Sequence, residues 1–147
     1  MTFDELDSRF PNGLDDAEIT ALTVDYAERV ATVRLCLRTN SPDSPDRDLY
    51  TRAVLSVREI YYVSIEPPEA DHLFGPKREK ITVDGLPEDA QNFPLFEQIK
   101  PKLPAGAFYC RFFVHDWNSF IHIAAACADF SLASPNTNEM KTSCRDS

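Results

Sequence analysis

The chain has 147 residues, 43% of them hydrophobic and 11% aromatic, which suffices for one domain whose core needs no covalent staples. Its 24 acids against 15 Lys and Arg give a formal charge of -9, which argues against a nucleic-acid partner because phosphate binding needs clustered cations. No apolar run approaches the ~20 residues that cross a bilayer, and the N-terminal "MTFDELDSRF" lacks the basic-then-apolar order of a secretion signal, so a cytoplasmic protein without membrane contact is expected.

"TFDELDSRF" predicts a short helix, with Thr2 as N-cap and Glu5 three positions later as its capping-box partner. "PNG" at 11–13 stops it. From there the period becomes two. Leu22 and Val24 alternate with Thr23 and Asp25; after a tight turn near Ala27-Glu28, Ala31, Val33, Leu35 and Leu37 point inward and Thr32, Arg34 and Arg38 outward. That is the pattern of a half-buried antiparallel hairpin. "TNSPDSPDRD", 39–48, is a polar loop. In the long strand that follows, Ala53, Leu55 and Val57 alternate with Arg52, Ser56 and Arg58. The phase slips near Arg58-Glu59, which predicts a bulge or a strand passing into the core. Pro67-Pro68 end it. "KITVDG" is a short strand closed by Asp84-Gly85 as a turn, and "PLFEQIK" predicts one or two helical turns starting at Pro94. The domain is expected to span 1–133, with 134–147 a disordered polar tail.

The segment "RFFVHDWNSFIHI" reads as the tip of a closing hairpin running from Phe108 to about Leu132. A turn at 116–119 pairs His115 with Phe120, Val114 with Ile121 and Phe112 with Ile123. One face, which also includes Cys110, Ala125, Phe108 and Cys127, is then wholly apolar. The other face mixes Tyr109, Arg111, Phe113, His115, Phe120 and His122. Its two histidines become diagonal neighbours roughly 7–8 Å apart. Two ligands fall short of the three or four that zinc needs, and neither Asp116 nor His72 is placed by the pattern to complete the set, so no metal site is expected. His115 with Asp116 makes no acid–base pair, because strand neighbours point to opposite faces. Trp117 at the tip either folds back onto its own sheet or stands out as an anchor for a partner.

No phosphate loop, glycine-rich nucleotide turn, G-x-S-x-G elbow, HExxH or calcium loop occurs, so no cofactor is expected and no residue is assigned a catalytic role. Cys36, Cys110, Cys127 and Cys144 are far apart, without a C-x-x-C. Three lie in apolar, strand-like runs and Cys144 in the polar tail, which predicts reduced, structural thiols. Acid is concentrated at the start: Asp4, Glu5, Asp7, Asp15, Asp16, Glu18, Asp25 and Glu28 stand against Arg9 alone in residues 1–28. This is a solvated end or a face that steers a basic partner inward. Asp15-Asp16 before the first strand, with Glu18, could also hold a cation, although adjacent loop acids more often cap or solvate.

The order "GLDDAEI", a strand hairpin, "VSIEPP" and "FFVHDWNSFIHIAAACADF" resembles small bacterial β-rich families of unknown function, some grouped with immunity proteins of polymorphic toxin systems. Leu14, Asp15, Asp16, Ala17 and Ile19 match an N-terminal L-[HD]-D-[AS]-x-[IL] element, and Ala128, Asp129 and Phe130 loosely match a closing acidic-aromatic motif. The resemblance covers most of residues 14–132. It implies a bacterial, toxin-neutralising binding protein with no catalytic residues.

The expected fold is therefore mainly β, an antiparallel sandwich or strongly curved sheet of six or seven strands with one or two short helices. The expected function is non-enzymatic binding of a basic protein partner; the alternative is a small-ligand β-fold with a pocket on the mixed face of the 108–127 hairpin. The candidate binding residues are Trp117, His115, His122, Arg111, Tyr109, Asp15 and Asp16.

Overall fold

A computed structural model describes residues 1–72, 80–86 and 94–133. The polar tail expected over 134–147, with Cys144, lies outside the described residues. Helix α1 (Phe3–Asp7) precedes strands β1 (Ala17–Asp25), β2 (Val30–Arg38), β3 (Tyr50–Ile65) and β4 (Ile81–Leu86), then helix α2 (Pro94–Ile99) and strands β5 (Phe108–Val114) and β6 (Ser119–Leu132). The six strands are antiparallel and close into a barrel in the order β1-β2-β3-β6-β5-β4, with β4 returning to β1. The strong curvature expected from the strand pattern is thus carried to full closure.

Alternation explains the interior. Ala31, Val33, Leu35 and Leu37 of β2 are buried, while Thr32 is half-buried and Arg34 exposed. Ala53, Leu55 and Val57 of β3 face the same core, as do Phe108, Cys110, Phe112 and Val114 of β5. A six-stranded barrel is too narrow for a lumen, and a mixture of Ala with Leu, Ile and Phe fills it. The phase slip in β3 is real: Glu59 takes φ 54 and the β3–β6 register shifts between Ile60 and Tyr62. The inward series 53, 55, 57 continues as Ile60 and Val63, so one long strand serves two differently oriented parts of the wall.

The N-terminus plugs one end. Thr2 and Glu5 form the capping box, with Glu5 N–H donating to Thr2 Oγ1 at 3.2 Å and Thr2 N–H donating to Glu5 Oε2 at 2.8 Å. This leaves Phe3 and Leu6 on the inner side of α1, where both are buried with Leu14. The plug rests on β4 at Gly85, whose N–H donates to Leu14 O at 3.2 Å. A Cβ there would meet Leu14 Cβ at 2.6 Å and Phe3 Cζ at 2.9 Å. Asp84-Gly85 is therefore strand, not the turn its composition suggests; glycine is present for close approach.

The closing hairpin differs from its expected register by two residues. Its turn is His115–Asn118, so that Val114 pairs with Ser119, Phe113 with Phe120, Phe112 with Ile121 and Arg111 with His122. Asn118 supplies the left-handed residue of the turn, φ 47, a conformation Asn tolerates, and Trp117 N–H donates to Val114 O at 3.3 Å. A shift of two preserves parity, so the apolar face still forms the core wall: Val114, Phe112, Ile121 and Ile123 are all buried. Cys127 departs from that face and is half-buried, because the inward series of β6 steps from Ala125 to Ala128 opposite the bend in β3.

The expectation of reduced thiols requires one correction. Cys110 and Cys127 are free, but Cys36 is disulfide-bonded. Cys36 lies at an outward position of β2 between Leu35 and Leu37 and is nevertheless 2% exposed. Wide sequence spacing says nothing about a crosslink that tertiary structure closes.

Candidate functional site

The mixed face of the β5–β6 hairpin is built as a row of rings. From the turn inward, His115 lies 5.4 Å from Phe113, Phe113 5.4 Å from Phe120, Phe120 5.9 Å from His122 and His122 6.4 Å from Tyr109, centroid to centroid. The two histidines are therefore at different stations of this row and are not the diagonal neighbours that the earlier register implies. The two-residue shift opposes Phe113 and Phe120 and moves His115 into the turn.

At the inner station Tyr109 Oη and His122 Nδ1 are 3.0 Å apart, and Arg111 places its guanidinium 5.4 Å from the Phe120 centroid. Glu66 accepts the Phe120 N–H at 3.0 Å and brings its other oxygen to 3.6 Å from His122 Nε2. Burial, followed by the positive charge of Arg111, pushes the His122 pKa down to about 4. His122 is thus neutral at pH 7, and its 3.6 Å approach to Glu66 is neither an ion pair nor a good hydrogen bond there. Arg111 and His122 are 1% and 2% exposed, so the face is closed over both. Leu103, beyond the one-turn 3-10 helix that follows α2, packs with Tyr62 against Tyr109 and Ala124. Sequence placed these residues on one face but could not show that the face is covered.

Trp117 is half-buried against the core, and its carbonyl accepts the Glu69 N–H at 3.0 Å. Of the two readings of the tip, folding back describes its position. Among the described residues the exposed large apolar side chains are others, Tyr26 at 77% the most open of them.

The remaining candidates meet at the plugged end of the barrel. Asp16, in the left-handed region at φ 53, ends the loop that leads into β1. Its N–H donates to Asp84 Oδ1 at 2.9 Å, and Asp84 Oδ2 lies 2.6 Å from His115 Nε2. His115 is itself held by its N–H, which donates to Thr82 O at 3.0 Å. Asp84 thereby ties three segments together: the entry to β1, strand β4 and the β5–β6 turn. Asp15 stands beside them with its carboxyl pKa raised, first by partial burial of the carboxylate and then by repulsion from Asp84, Asp7 and Asp16. Arg38 faces Asp16 at 3.6 Å and Asp48 at 4.0 Å, and donates to Tyr50 Oη at 3.1 Å. An open hollow of about 340 Å³ lies here, lined by Pro11, Asn12, Asp15, Asp16 and Arg38. Glu18 is not part of this group and pairs with Lys80 at 3.0 Å.

The structure thus brings Asp15, Asp16 and His115 together and sets Tyr109, Arg111 and His122 apart beneath a cover. Asp84 and Arg38 escaped sequence reasoning. The available signal for Asp84 was its outward position in "KITVDG", obscured by the following Gly85, which made it look like turn chemistry. Among the described residues no helix is long and apolar enough to cross a membrane. No protein-family model matches the chain, and neither does any curated protein or solved structure.

Proposed function

We propose that the chain is a non-enzymatic binding protein whose acidic end engages a basic protein partner, in the manner of an immunity-type protein that neutralises a basic toxin. The observation that carries this reading is the crowding of Asp7, Asp15, Asp16 and Asp84 at the plugged end, where partial burial and then repulsion from the other three carboxylates raise the Asp15 pKa. Such a concentration of like charge costs the isolated protein stability. It is repaid when a cationic surface docks and replaces repulsion with attraction. The formal charge of -9 extends the field beyond the contact and favours rapid encounter. Burial of Arg111 and His122 weighs against the alternative of a small-ligand pocket on the mixed face, since neither side chain is open to a ligand. The cytoplasmic setting expected from the sequence and the bacterial one implied by the resemblance belong to the same proposal.

The test is kinetic. A partner recovered by affinity capture is purified, and association of the pair is measured at low and high ionic strength. The association rate is expected to fall at least tenfold between the two, and to fall similarly in Asp15→Asn/Asp16→Asn at low salt. Glu28→Gln, at the opposite end of β1, leaves it unchanged. Rates indifferent both to salt and to Asp15→Asn/Asp16→Asn defeat the reading, and dependence on Trp117→Ala alone relocates the contact to the hairpin tip.

A further inference from the structure

We propose that Asp16, Asp84 and His115 form a binding site for one divalent first-row transition-metal ion of the zinc class. One ligand atom from each of the three lies within 4.8 Å of the other two. The residues come from three separate segments, and pairing of β1 with β4 and of β4 with β5 is what brings them together. Two of the backbones are fixed independently of the ligand side chains: β4 anchors Asp84 opposite Phe113, and the Thr82 carbonyl holds the His115 N–H; that of Asp16 is held by Asp84 itself, through Oδ1. Only side-chain rotation separates the present arrangement from ligation. His115 Nε2 and Asp84 Oδ2 meet at 2.6 Å. A zinc-class ion, bound at about 2.0–2.2 Å from nitrogen and oxygen ligands, would part them to ~3.3 Å. Side chains that are 39% and 27% exposed can make that adjustment without disturbing the core.

The imidazole decides the ion's class. Calcium and magnesium sites are built from oxygen alone, whereas one imidazole with two carboxylates suits zinc, cobalt or manganese. Three protein ligands leave at least one position for water or for a donor from another molecule. Arg38 offsets part of the charge on Asp16 from 3.6 Å, which disfavours an ion held by charge alone and leaves one held through nitrogen. The site shares Asp16 and Asp84 with the acidic end described above, but it rests on ligand geometry and not on a protein partner.

The test uses the full chain without an affinity tag, stripped with chelator and verified as folded by circular dichroism. Zinc is titrated by calorimetry, and Co²⁺ is added separately to record its ligand-field absorption. One ion per chain is expected, with affinity lowered at least tenfold in His115→Ala and in Asp84→Asn but unchanged in Glu28→Gln. Zinc should also raise the thermal midpoint of the unsubstituted chain and leave that of His115→Ala unmoved. Absence of saturable zinc binding, equal affinity in His115→Ala, or calcium binding in preference to zinc overturns the proposal.

Discussion

The Asp84 carboxylate and the His115 imidazole meet at 2.6 Å although 31 residues separate them, one on a strand and the other in the turn of the neighbouring hairpin. The other Asp84 oxygen accepts the Asp16 N–H at 2.9 Å, so a single side chain staples two loop ends to the sheet. Asp84→Ala removes both contacts and should lower unfolding free energy by about 1 kcal/mol, mainly through loss of the backbone hydrogen bond. Asp84→Asn keeps an acceptor for Asp16 and should cost less. Urea denaturation of the two variants distinguishes these outcomes; equal losses would show that the charge, not the hydrogen bond, matters.

Gly85→Ala tests the seating of the plug. The added Cβ meets Leu14 Cβ and Phe3 Cζ inside van der Waals contact, and both side chains are buried. A loss of about 1–3 kcal/mol is expected, as for other overpacked cores. An unchanged denaturation midpoint would mean that the N-terminal segment does not pack on β4.

His122 makes stability depend on pH. Its folded pKa, near 4, lies below the ordinary 6.5, so between these values the unfolded chain takes up a proton that the folded chain refuses. Stability is therefore unaffected above pH 6.5 and declines as pH falls from 6.5 towards 4, by a total on the order of 3 kcal/mol. Denaturation curves collected across this range should show the decline, and His122→Gln should flatten it.

Asp15 has the opposite sign. Its raised pKa means that ionisation is resisted in the folded state, so neutralising it should help. Asp15→Asn is expected to raise stability slightly, by less than about 0.5 kcal/mol because the side chain is exposed, and the gain should shrink in high salt as screening weakens the repulsion. A loss of stability would indicate that the carboxylate makes a favourable contact.

Alkylation in denaturant distinguishes the cysteines. Without reductant, Cys110 and Cys127 should be labelled and Cys36 protected; reductant should expose Cys36 as well. Without denaturant, Cys110 should resist labelling, because it is fully buried and burial pushes its thiol pKa well above the usual range. Labelling of Cys36 before reduction would remove the disulfide. Because disulfides persist poorly in reducing compartments, the same experiment on protein taken directly from cells bears on where it works.

Much of the barrel was legible in the sequence because a strand with one buried face must alternate. Leu35 and Val57 were assigned inward by parity alone, and the β3 bend appeared as a break in that parity at Arg58-Glu59. Parity also keeps Val114 and Ile121 in the core whether the turn lies at 116–119 or one residue earlier, because that step changes the pairing register by two. It could not fix the partners. A slip of two leaves every side chain on its own face, and so the choice between pairing Phe113 with His122 or with Phe120 lay beyond the pattern.

By itself, the sequence determined the periodic features: strand identity, the Thr2–Glu5 cap, the acidic N-terminal segment and a wall of apolar side chains on the last hairpin. Closure of the sheet, the burial of Arg111 and His122, and the meeting of Asp16, Asp84 and His115 were decided only in three dimensions. The physical reason is that period and capping are set by neighbours along the chain. A covered face or a converging set of ligands depends instead on which distant strands pair, and single-chain patterning carries no term for that.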